Sequence, residues 1–161
     1  MMAASADLWN DVKAFYGRPG VAAACLALQD EHGADVTLLL FLLARAERGQ
    51  ALGTEQIAPL QAAIQPWHAD TIAPLRVLRR QLKLPPPGFE VGGLRQIISS
   101  AEIEAERLQI LHLDRLTTNT PQAQPAVQAA HANLHAYADI VGFPASALHM
   151  ILALFEAATA D

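Results

Sequence analysis

Four of the eleven basic residues, Arg76, Arg79, Arg80 and Lys83, fall within one eight-residue stretch. At about 100° per residue their separations put all four on one side of a helix, so the sequence predicts a cationic ridge. A guanidinium fork holds carboxylates and phosphates in a bidentate fashion, and such a ridge is suited to docking an acidic ligand or partner. The plainer reading of the same charges is an internal ion-pair network with Glu102, Glu104 and Glu106 of a later helix. Exposed pairs of that kind contribute about 0 to 1 kcal/mol each.

Other chemistry-bearing residues are more isolated. His131, His135 and Asp139 recur every fourth residue along one edge of a helix, a spacing at which two imidazoles can chelate a metal. The zinc-protease pattern needs Glu directly after the first His, where this chain has Ala132, so a solvated helix edge is the plainer reading and no metal or other cofactor is expected. His112 falls in an apolar stripe, where it is either a hydrogen-bonded core residue or the border of a pocket between helices, with no Ser or Cys nucleophile beside it. In Trp67-His68-Ala69-Asp70, the indole is expected to pack on the core and Asp70 to cap a helix. A pocket near His112 and Trp67 is the alternative. Gly92-Gly93 lacks the preceding strand and the lysine of a phosphate-binding loop, and the Glu-x-x-His pairs of di-iron bundles are absent. No catalytic signature stands out.

Composition narrows the classes further. The chain has 161 residues, 52% hydrophobic and 17% charged, which is too apolar for disorder and enough for one core. A formal charge of −5 disfavours general binding to nucleic acid. Cys25 is the single cysteine, within an apolar run, so a buried thiol and a reducing compartment are expected. The first residues lack the basic start and apolar stretch of a secretory signal. The greasiest segment, 36–44, is far shorter than the ~20 residues that cross a bilayer. A cytoplasmic protein without a membrane span is the expectation.

These residues must be positioned by helices, because the apolar spacing is helical almost throughout and no segment alternates like a strand. The expected fold is all-α, a compact single-domain bundle of about seven or eight helices. Helices are predicted over 5–16, from Pro19 to about 32 with Gly33 as a left-handed stop, and from about 35 to 47 with Asp35 as cap. Val36, Leu38, Leu39, Leu40, Phe41, Leu42 and Leu43 surround the third helix on every side, so it should be the enclosed centre of the fold. Thr54 is placed as the cap of a short fourth helix, and a fifth follows Pro66. Leu84-Pro85-Pro86-Pro87-Gly88 cannot continue a helix and forms a stiff connector within the domain. A long helix over 91–116 should bury Leu94, Ile97, Ile98, Ala101, Ala105, Leu108 and Leu111, leaving Ile103 and Ile110 on the opposite side as a second apolar face. Helices over 121–141 and 144–159 complete the chain.

Three phrases carry a family likeness: Tyr16-Gly17-Arg18-Pro19-Gly20-Val21 with Cys25-Leu26-Ala27-Leu28-Gln29; Gly33-Ala34-Asp35-Val36 with Leu38-Leu39-Leu40-Phe41; and Ala101-Glu102-Ile103-Glu104-Ala105-Glu106-Arg107. With Trp67, Pro74-Leu75-Arg76 and Arg79-Arg80, the chain resembles, over its first two thirds, a family of small bacterial proteins known as a conserved domain of unknown function. The resemblance implies a bacterial, cytoplasmic, helical protein and supplies no reaction, cofactor or catalytic residue. The functional expectation is therefore a non-catalytic interaction or adaptor protein. It would use the ridge of Arg76, Arg79, Arg80 and Lys83, or the Ile103 and Ile110 face, to engage a partner protein or a second copy of itself. The alternatives are a small-molecule binder or enzyme with a pocket near His112 and Trp67, and a metal-binding protein.

Overall fold

A computed structural model describes residues 2–117 and 122–161. The core begins at Asp35, whose carboxylate accepts the Leu38 N–H at 3.0 Å and so caps helix α3, Val36–Glu47. Gly33, at φ 67°, ends the preceding helix α2, Val21–His32, and lets the chain turn into that cap. Every residue from 37 to 46 is buried, as a helix apolar on all sides requires. At roughly 1.5 to 3 kcal/mol for each large apolar side chain, this helix is the main source of burial energy.

Four helices enclose it: α1 (Met2–Tyr16), α2, α6 (Gly92–Leu116) and, over the largest contact, α7 (Ala126–Val141). Leu8 and Val12 of α1 reach the same core, as do Leu134, Tyr137 and Ala138 of α7. Helix α8, His149–Ala160, follows a 3-10 turn at Ala145–Leu148 and closes over α2 and α7. The expected start of the seventh helix at Pro121 lies outside the described residues.

Two short strands, Gln50–Ala51 (β1) and Gln122–Ala123 (β2), pair antiparallel where the sequence pattern showed no alternation. Two residues are too few to write a period. Gly49, at φ 75°, passes so close to Gln124 that a Cβ would meet its carbonyl oxygen at 2.8 Å. Asn133 of α7 then ties this bridge to the core. Its Oδ1 accepts the Leu52 N–H at 2.6 Å, and its amide donates to the carbonyls of Leu42 and Gln50, both at 3.0 Å.

The next segment departs from the expected pair of separate helices. Helix α4 (Thr54–Trp67) runs through Pro66 into a π-helical turn, His68–Ile72, and straight on into α5 (Ala73–Gln81). Pro74 has no N–H to give the carbonyl four residues back, and the wider turn immediately before it absorbs that defect. Gly53, not Thr54, takes the N-cap position, with its N–H donated to Gln56 Oε1 at 3.0 Å. Pro19 likewise precedes its helix, which starts after Gly20. The proline connector turns the chain, with Gly88 at φ 91°, so that α5 and α6 form a hairpin packed side by side.

Candidate functional site

The ridge forms along α5 and the turn that follows it, but two of its members turn inward. Glu102 and Glu106 lie one helical turn apart on the side of α6 that meets α5. Arg76 donates from Nε to Glu102 at 3.1 Å and from Nη2 to Glu106 at 3.4 Å. Arg79 donates from Nε to Glu102 at 2.5 Å and from Nη2 at 3.3 Å. Arg80 stands 3.5 Å from Asp30 of α2, and Lys83 is exposed. Glu104, two residues from either neighbour, points away and pairs with Arg107 on its own helix at 2.7 Å.

The two inward carboxylates differ. Burial pushes Glu102 up, but Arg79 and Arg76 outweigh it and hold the group below the ordinary carboxylate range. Burial and the neighbouring Glu102 push Glu106 up to about 7, because its single contact with Arg76 is too weak to offset them.

This charged pair of helices forms one wall of a cleft of about 460 Å³, with α1, α2 and the start of α3 as the others. Lys13, Arg76, Arg79 and Arg80 bring four cations to its lining against the two carboxylates Glu102 and Glu106. Trp9, Val12, Leu26, Val36 and Leu40 supply an apolar surface opposite, and Ile103 adds to it from α6. Lys13 lies over the Trp9 ring, 5.7 Å from its centroid, which fixes that edge. Tyr16 also lines the cleft, its hydroxyl pushed up chiefly by burial, with Cys25 and Glu106 adding to it.

Behind the cleft sits a polar cluster that spacing does not reveal. Asp35 accepts the Gln109 amide at 3.1 Å on both carboxylate oxygens, and its backbone N–H donates to the Tyr137 hydroxyl at 2.7 Å. His68 Nδ1 stands 3.2 Å from Asp35 Oδ2, carried there by the π-helical turn. Burial pushes Asp35 up, yet His68, the Leu38 N–H and Gln109 prevail and hold it below the usual range. Only the capping role of Asp35 was legible beforehand, because a cap is a local pattern and the other partners are distant in sequence. Arg45 is a similar case, buried in α3 and paired with Asp114 at 3.2 Å.

The apolar faces of α6 are rearranged. Ile110 is wholly buried while Ile103 is 51% exposed, so the two do not make one surface. Leu94, Ile97 and Leu108, expected inside, are exposed. Ile98 and Ala105 of the expected stripe stay buried, but Glu102 and Gln109 share that inward face with them, so it is turned part of the way from the expected stripe. His112 is therefore exposed, not in the middle of a buried stripe. It lines a second cavity of about 660 Å³ with Trp67, Asp70, Thr71 and Gln109, and the Trp67 indole is fixed by donating to the Ala105 carbonyl at 3.0 Å.

On α7, the rings of His131 and His135 stack with centroids 5.8 Å apart, on an exposed edge shared with Asp139. Among the described residues, no group of three or more His, Cys, Asp or Glu side chains is placed to hold a metal ion. Cys25 is buried, and burial pushes its thiol up to about 12. No helix among the described residues is long and apolar enough to cross a membrane.

Fold and site together define an all-α domain with a charged cleft between its first helices and the α5–α6 hairpin. Residues 7–113 match the family described as Protein of unknown function (DUF2390), and the chain belongs to it. Those residues hold every lining group of the cleft, whereas α7 and α8 lie beyond the match. No curated protein and no solved structure matches the chain.

Proposed function

We propose that this chain is a non-catalytic binding protein that receives the acidic group of a small ligand in the cleft between α1, α2, α3, α5 and α6. The observation that carries the reading is the joining of Arg76, Arg79 and Arg80 with an apolar wall in one concavity of about 460 Å³. That size lies in the range of small-molecule sites, and a few charged groups on an otherwise apolar lining give such sites their orientation and specificity. The surplus of cations over carboxylates in the lining, against the overall charge of −5, supports an anion as the occupant. The reading differs from a flat docking ridge, because Arg76, Arg79 and Arg80 all line the cleft and Lys83 alone of the four does not.

The test is a thermal-shift series with carboxylic acids and their uncharged amides. Acids should raise the melting temperature and the matched amides should not. Equal shifts from both, or none from either, would contradict an acid-binding cleft.

A further inference from the structure

In the cleft, the Arg76 guanidinium is divided between two carboxylates that it holds unequally. Glu102 takes Nε at 3.1 Å and also both donors offered by Arg79, so it is locked. Glu106 has only the outer Nη2, at 3.4 Å, and its side chain is a quarter exposed to the cleft. A carboxylate held by one long contact on a cation that faces a cavity occupies the position that an incoming acid would take. Once displaced, it could not stay ionised beside Glu102 and a newly arrived anion without the counter-charge it has lost.

We propose that the ligand is an apolar monocarboxylic acid whose carboxylate replaces Glu106 on Arg76, with Glu106 taking up one proton from solvent as the ligand enters. This inference rests on the acid-binding reading of the cleft. A single acid group is favoured because Glu102 remains in place and would oppose a second negative charge, and the apolar body is favoured by Trp9, Val12, Leu26 and Leu40. The charged and titratable groups around Glu106 among the described residues are Lys13 and Tyr16 of α1, Asp35 at the start of α3 with His68 behind it, Arg76, Arg79 and Arg80 of α5, and Glu102 on its own helix. With Glu106 titrating at about 7, it already carries much of the required proton near neutrality.

The experiment is isothermal titration of the full chain with octanoate at pH 6 and pH 8, each in two buffers of different ionisation enthalpy. Wild type should bind about ten-fold more tightly at pH 6 than at pH 8, and at pH 8 should take up nearly one proton per octanoate. Glu106→Gln should bind at pH 8 about as tightly as wild type at pH 6, with no proton uptake and no dependence between the two. Octanoate binding by wild type with neither pH dependence nor proton uptake overturns the displacement and leaves the acid-binding reading standing. No binding of octanoate by either protein at either pH overturns both. The proton count on wild type decides the matter even where the variant does not fold.

Discussion

Asn133 shows what one residue does in this fold. It is fully buried and uses its oxygen and amide on three backbone groups: the Leu42 carbonyl within α3, and the Gln50 carbonyl and Leu52 N–H, which lie past the end of that helix. Unpaired buried backbone groups cost about 1 to 3 kcal/mol each, so the side chain replaces what a longer sheet would provide. Asn133→Ala should therefore lower stability by about 3 kcal/mol or more, read as a fall in the urea midpoint at unchanged slope. A loss under about 0.5 kcal/mol would mean that the bridge finds other partners. Sequence reading could not find this residue, since an Asn inside a helical stripe looks the same whether it meets solvent or three distant carbonyls and amides. It did find Asp35, because a cap and the helix it starts are neighbours in the chain.

At the scale of elements, α5 meets α6 through a cluster of ion pairs. Helix α5 buries no residue, and the face that α6 turns inward contains Glu102 and Gln109. The cationic ridge and its acidic counterpart were legible as types and spacings; what was not legible was the partial turn of α6, which exposes Leu94 and Ile97 and buries Ile110. Apolar periodicity places Ile98 and Ala105 inside and misses the rest of the inward face, because Glu102 and Gln109 carry no apolar signal. The continuous rod from α4 to α5 escaped for a related reason, since Pro66 and Pro74 signal breaks that a π-helical turn removes. Glu106 gives this hairpin a pH response. Its folded value of about 7 is raised above the ordinary value of 4.5, so the folded state binds the proton more tightly, and stability falls as pH rises from about 4.5 through 7. Glu106→Gln should remove that fall and make the protein about 2 to 3 kcal/mol more stable than wild type at pH 8, with little difference at pH 4.5. Denaturation curves at the two pH values check this, and an equal effect at both would contradict it.

For the whole molecule, the expectation of an all-α bundle around a central helix holds, because ten successive buried positions admit few other solutions. The match to the family stops at residue 113, yet the largest cover on α3 comes from α7, and Tyr137 of that helix accepts the Asp35 N–H. The C-terminal helices thus steady the base on which the cleft is built, while the cleft itself lies within the family portion. The central claim, that this cleft receives an acid, is tested most directly by recording the arginine Nε–H resonances of the labelled full chain during titration with octanoate. Arg76 and Arg79 should shift together and saturate, while Arg107, paired on the exposed side of α6, stays in place. Arg76 and Arg79 left unmoved, or all arginines drifting in parallel without saturation, would contradict the account.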